Sequence, residues 1–204
     1  AENKKAPWFE WKPELKERQN AALRAARERL ADEIGCQKFW QYLFDKEWKH
    51  LHEYAHKKGV KIMGDMPIFV SHDSVDVWAN QNLFSLNEDG TTKTVAGVPP
   101  DYFSATGQLW GNPQYDWTAM KEDGYGWWKA RFRKLCSFVD IVRLDHFRGF
   151  EAYWEIDGKA KTAVNGCWRK GPGKAFFEEM EKSVENLSIV AEDLGIITDE
   201  VEKL

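Results

Sequence analysis

Residues 139–156, VDIVRLDHFRGFEAYWEI, decide how this chain is to be read. An apolar run carries Arg143 and Asp145, then breaks into His146, Arg148 and Gly149. Side chains alternate along a strand, so Ile141, Arg143 and Asp145 share one face while Val142 and Leu144 share the other. The apolar face can pack on a helix and leave Arg-x-Asp to point away from it. A guanidinium beside a carboxylate favours its ionised form. An ionised carboxylate held in this way is either half of a structural ion pair or a nucleophile.

Two other segments repeat this design. VKIMGDMPIFV (60–70) reads as a buried strand running into Gly64–Asp65, and SIVAEDLG (188–195) as a strand ending in Glu192–Asp193. Helical periodicity fills much of the space between. Residues 13–34 predict a helix opened by Pro13 and stopped at Gly35. Residues 37–58 predict a second, with Phe39, Trp40, Leu43, Phe44, Leu51, Tyr54 and Ala55 as its apolar stripe. Residues 125–137 and 173–185 predict two more, and a further helix starts after Thr198. The spans 71–123 and 146–172 read as irregular, with Pro99, Pro100 and Pro113 in the first.

Strands alternating with helices predict an α/β fold with a parallel sheet, its strands buried on both faces. Charged residues at the C-terminal strand ends are where a (β/α)₈ barrel keeps its chemistry, and an open doubly wound sheet shares the pattern. No glycine-rich phosphate loop follows a strand, which argues against a nucleotide binder. Three strands cannot close an eight-stranded barrel. This chain is therefore either a small open sheet or part of a (β/α)₈ TIM barrel, incomplete here. It forms one segment, 1–204: helical over 13–58, strands near 60–66, 139–145 and 188–193, and a long inserted loop region over 71–123.

Composition narrows the function. A net charge of −4 gives no basic field for nucleic acid. No apolar run reaches the roughly 18 residues of a membrane span. The three cysteines are scattered without a CxxC, which suggests reduced thiols packed in the interior and a cytosolic or organellar-stroma setting. The 11 Trp, 12 Phe and 6 Tyr include many beside Gly, Pro, Asn or Asp, an arrangement suited to stacking on sugar rings while carboxylates and amides bond the hydroxyls.

A second carboxylate for Asp145 comes from the last strand. Glu192 and Asp193 are adjacent, so one of them faces Asp145, and alternation does not say which. Two carboxylates on consecutive parallel strands suit a retaining glycosidase, where they stand about 5–5.5 Å apart. Asp65 can pair with Arg143 or bond a sugar. His72 and Asp73 in SHDS have no further His or Cys at ligand spacing, so no metal is expected there. His146 suits a substrate hydrogen bond.

The runs GDMPIFVSHDSVDVW, AGVPPDYFS, GQLWGNPQYDW, VRLDHFRGFEAYWEI and VAEDLGIIT resemble those of the amylomaltases, the 4-α-glucanotransferases also called disproportionating enzymes. The resemblance implies a barrel with inserted subdomains that cleaves an α-1,4 glucan and passes it to the 4-hydroxyl of glucose or another glucan. Its partners are malto-oligosaccharides, glucose and glucans from starch or glycogen. Neither a metal nor an organic cofactor takes part, and the setting is the cytoplasm or a plastid stroma. By resemblance Asp145 is the nucleophile and Glu192 the general acid/base. Arg143 and His146 flank the nucleophile, and Asp65 lines the donor site. Asp101, Tyr102 and Phe103 belong to a loop over the acceptor side, and Trp110 and Asn112 to a sugar-binding wall. Ala105 departs from the polar residue common there. The family's third catalytic carboxylate falls in a His-Asp-Asn segment beyond Leu204, so the 204 residues alone are expected to be inactive. The rival readings are a retaining hydrolase of the α-amylase type and a glucan-binding fragment without catalysis.

Overall fold

The computed structural model describes residues 5–195 and 197–204. The chain opens with a 3-10 turn at Trp8–Glu10 and the short helix α1 (Pro13–Lys16), with Pro13 in its first turn as expected. Helix α2 (Asn20–Arg29) and the 27-residue α3 (Ala31–Lys57) follow. The predicted stop at Gly35 is wrong. Gly35 sits inside α3, and the actual breaks are at Arg18, whose φ is 58°, and at Leu30. A glycine ends a helix when the next turn needs a left-handed residue, and Gly35 is not in that conformation.

Strand β1 (Met63–Pro67) leads to α4 (Val75–Ala79), β2 (Thr94–Val98), β3 (Gln108–Pro113) and α5 (Trp117–Glu122). Helix α6 (Gly126–Cys136) precedes β4 (Ile141–Asp145). Strands β5 (Ala152–Asp157) and β6 (Gly166–Lys170) come next, then α7 (Lys174–Ser183), β7 (Ile189–Ala191) and α8 (Asp199–Glu202).

Two sheets result. The first is parallel, ordered β1-β4-β7, with β4 in the middle. Its alternation is as the sequence predicts: Val142 and Leu144 are buried, and Arg143 and Asp145 are partly exposed on the opposite face. Burial on both faces fails for the outer strands. Met63 and Val190 stay 52% and 42% exposed, because β1 and β7 each have one strand neighbour among the described residues.

The second sheet is antiparallel, ordered β3-β2-β5-β6. The expectation of irregular chain over 71–123 and 146–172 is thus overturned. Gly97, Gly111 and Pro113 lie inside strands, and the β2–β3 register shifts between Val95 and Gly97. Turn-forming residues hide strand periodicity when they serve bulges and close approaches. Gly97 is such a place: a Cβ there would lie 2.1 Å from the Gln108 carbonyl oxygen. The amide of Gln114 joins the layer from within, donating to the carbonyls of Val95 at 3.4 Å and Trp154 at 3.0 Å.

Aromatic packing around Trp128, Phe132, Phe150 and Phe176, each fully buried, ties α6 and α7 to the parallel sheet. Trp8 is buried too, and pins the N-terminal turn: its indole N–H donates to the His72 carbonyl and its backbone N–H to Asp73. Helix α3 contributes no buried residue. Its expected core stripe is largely in the open, with Phe39, Trp40, Phe44, Leu51 and Tyr54 each more than half exposed. Two of the cysteines also depart from expectation: Cys36 and Cys167 are exposed, and Cys136 is half-buried.

Candidate active site

The parallel register places the charged residues. Asp65 on β1 is level with Arg143 on β4, and Pro67 with Asp145. Level residues of parallel strands project to one face. Arg143 Nη1 therefore reaches Asp65 Oδ1 at 2.6 Å and, along its own strand, Asp145 Oδ1 at 3.2 Å. On the other side Leu144 is level with Ala191, and the backbone N–H of Glu192 continues the ladder to the Leu144 carbonyl at 3.0 Å. That step brings Glu192 level with Asp145. Its Oε1 stands 3.4 Å from Arg143 Nη2, and its Oε2 accepts the backbone N–H of His146 at 2.5 Å. Asp193 is exposed. The choice that alternation leaves open is made by register.

One guanidinium thus faces three carboxylates from three adjacent strands. The hydrogen bond with Asp65 leads in raising the Arg143 guanidinium above its ordinary value, and the charges of Asp145 and Glu192 add to it. Glu192 is the most enclosed of the three acids, with 14% of its side chain exposed against 41% for Asp145 and 56% for Asp65.

His146 ends the strand in a left-handed conformation, φ 50° and ψ 47°, uncommon for a residue with a side chain. The turn puts its ring against Trp110, edge to face at 4.9 Å. Gly149 backs it, and a Cβ there would come within 3.1 Å of His146 Cδ2 and 2.8 Å of Ile68 Cδ1. Burial, with the nearby charge of Arg148, lowers the imidazole from 6.5 to about 4, so it is neutral near pH 7. Its Nε2 is sealed from solvent without a hydrogen-bond partner.

A cleft of about 440 Å³ opens between the two sheets. Of the sequence-predicted residues, Asp101, Phe103, Trp110, His146 and Glu192 line it. Asp65, Tyr102, Asn112, Arg143 and Asp145 do not. Asp65 opens onto a separate groove beside β1, and Asn112 spends its amide on the Val70 carbonyl at 2.8 Å. The loop after β2 is shaped by Asp101, whose Oδ1 accepts the N–H groups of Phe103 and Ser104. Tyr102 and Phe103 are thereby held out in solvent, 97% and 92% exposed.

Arg148 and Trp168 also line the cleft, and sequence reading missed them. The Arg148 guanidinium lies 3.9 Å from the Trp168 ring centroid, a cation–π pair. Arg148 was in plain view in RLDHFRG. Trp168 carried no signal once its strand was read as loop.

A scan of protein families matches residues 1–204 to the one described as 4-alpha-glucanotransferase. The chain is 50% identical over 201 residues to a 4-alpha-glucanotransferase of Synechocystis sp., covering 98% of this chain and 40% of that protein. It is 49% identical to the chloroplastic/amyloplastic 4-alpha-glucanotransferase of Arabidopsis thaliana, covering 97% of this chain and 34% of that protein. Among solved structures, the amylomaltase from Streptococcus agalactiae in complex with acarbose superposes with a TM-score of 0.92 at 42% identity, over 97% of this chain and 40% of that one. The chain spans between about a third and two fifths of the length of these relatives. With a family match over its whole length and a relative 50% identical over 201 residues, the chain belongs to the 4-alpha-glucanotransferase family.

Proposed function

We propose that the protein carrying this chain is a 4-α-glucanotransferase that moves α-1,4-glucan segments to the 4-hydroxyl of glucose or another glucan by a retaining double displacement. The observation that carries the reading is the convergence of Asp65, Asp145 and Glu192 on Arg143, at the C-terminal ends of adjacent parallel strands. Glu192, the most enclosed acid, protonates the glycosidic oxygen as Asp145 attacks the anomeric carbon, and a glucosyl-enzyme forms. Glu192 then takes the proton of the acceptor 4-hydroxyl, whose oxygen displaces Asp145. Two inversions give net retention.

Arg143 fixes Asp145 and Asp65, the latter on the donor sugar. His146, neutral, offers hydrogen bonds rather than charge and forms the wall of the sugar site with Trp110, while Asn112 serves that wall by tying β3 to the Val70 carbonyl. The loop with Asp101, Tyr102 and Phe103 covers the acceptor side and keeps water from competing. The acarbose bound to the streptococcal relative supports a glucan-shaped site.

The parallel sheet is an arc of a (β/α)₈ barrel, with the antiparallel sheet inserted over its C-terminal mouth. In-order parallel strands joined through helices, and charged groups at their C-terminal ends, support this. Among the described residues no helix is long and apolar enough to cross a membrane. Cyanobacterial and chloroplastic relatives support a cytoplasmic or plastid-stromal setting.

Incubating the full-length protein with maltotriose tests the reading. A ladder of longer glucans together with free glucose is expected. Maltose and glucose without a ladder would mean a hydrolase instead.

A further inference from the structure

At the opposite end of the parallel sheet from Asp145 and Glu192 lies a second cluster of side chains. His52 and His56 are one turn apart on α3, in the sequence His52-Glu53-Tyr54-Ala55-His56. Both rings turn toward Asp140, which directly precedes β4. His56 Nε2 is 2.6 Å from Asp140 Oδ1, and His52 Nε2 is 3.2 Å from Asp140 Oδ2. We propose that His52, His56 and Asp140 form a binding site for a divalent transition-metal ion of the zinc class.

Geometry comes first. The three ligand atoms lie within 4.8 Å of one another. Donors of a tetrahedral zinc ion with bonds near 2.0–2.1 Å stand about 3.3 Å apart, so side-chain adjustment on the order of an ångström brings the three atoms to that spacing. Two histidines at H-E-x-x-H spacing put both rings on one helix face, the usual way a helix supplies two zinc ligands. The donor set is two imidazoles and one carboxylate, which suits zinc and its neighbours rather than magnesium or calcium with their oxygen shells.

The carboxylate is already oriented. Asp140 Oδ2 accepts the backbone N–H of Ile62 at 2.8 Å, an outer contact of the kind that holds ligands in place.

Two rings with centroids 4.2 Å apart face the two oxygens of a single carboxylate. His52 Nε2 is sealed from solvent, and its only polar neighbour among the described residues, Asp140 Oδ2 at 3.2 Å, lies outside good hydrogen-bond geometry. A groove of about 350 Å³, lined by Asp45, Lys49, His52, Glu53, Ser137 and Phe138, runs beside the His52 edge of the cluster. The ion would clamp α3, which buries nothing, to the root of the central strand.

The test uses full-length protein, stripped with a chelator and titrated with zinc chloride and, separately, cobalt chloride. One equivalent is expected to bind, with the visible bands of four-coordinate cobalt and a rise in Tm. His56→Gln and His52→Gln are each expected to weaken binding by at least about tenfold while leaving the far-UV spectrum and glucan transfer intact. X-ray absorption of the zinc-loaded wild type should count two imidazole nitrogens per ion, a readout that needs no variant. Absence of binding at micromolar zinc, equal binding by the folded variants, or a spectrum without two imidazoles would each overturn the site.

Discussion

Arg143 is the residue on which the candidate site turns. Its fork spans Asp65 and Asp145 through Nη1 and Glu192 through Nη2, a task the single ammonium of lysine cannot perform. Arg143→Lys in the full-length protein is expected to lower the transfer rate on maltotriose by about 10²-fold, with the far-UV spectrum unchanged. A loss below about threefold would mean that the acids hold their places unaided. Asp145→Asn removes the proposed nucleophile and should cost about 10³-fold or more.

His146 carries the pH dependence at this scale. Its folded value of about 4 lies below the ordinary 6.5, so the unfolded chain binds more protons between these limits. Stability therefore rises with pH across the window and is lost as pH falls from about 6.5 toward 4, by about 3 kcal/mol at most. Denaturant midpoints measured over that range should slope less in His146→Gln than in the wild type. An identical slope would remove His146 from the account.

At the scale of elements, two glycines make opposite predictions. Gly35 lies inside α3, and a Cβ built there meets nothing within 4 Å. Gly35→Ala should raise the stability by about 0.5–1 kcal/mol, read as a higher urea midpoint. Gly97 sits where β2 presses on the Gln108 carbonyl, and Gly97→Ala should cost about 2–4 kcal/mol by parting β2 from β3. An unchanged midpoint in either variant contradicts the corresponding packing. The two cases also show what was legible. Helices α6 and α7 and the central strand β4 follow from periodicity, since each buries a regular stripe or face. The antiparallel sheet does not, because its strands carry Gly97, Gly111 and Pro113, residues whose local signal is a turn. Cross-strand partners far along the chain make them strands.

The whole molecule leaves apolar surface uncovered. The faces of β1 and β7 are open, and so are Phe39, Trp40, Phe44, Leu51 and Tyr54 on α3. Open sheet edges recruit further strands. The 204 residues expressed alone are expected to self-associate, seen as a broad early peak in size-exclusion chromatography, and to yield no ladder from maltotriose. A monodisperse, active segment would overturn this.

The sequence by itself determined the α/β class, the face shared by Arg143 and Asp145, and the helices that flank the parallel strands, because these depend on the period of side chains within one element. It also spelled out His52-x-x-x-His56, though without Asp140, 84 positions away from His56, the spacing has no third ligand. Tertiary structure decided the rest. Register placed Glu192 rather than Asp193 level with Asp145, set Asp65 against Arg143, and brought Trp168 over Arg148. Such pairings are set by which strand lies beside which, a long-range choice that no local periodicity encodes.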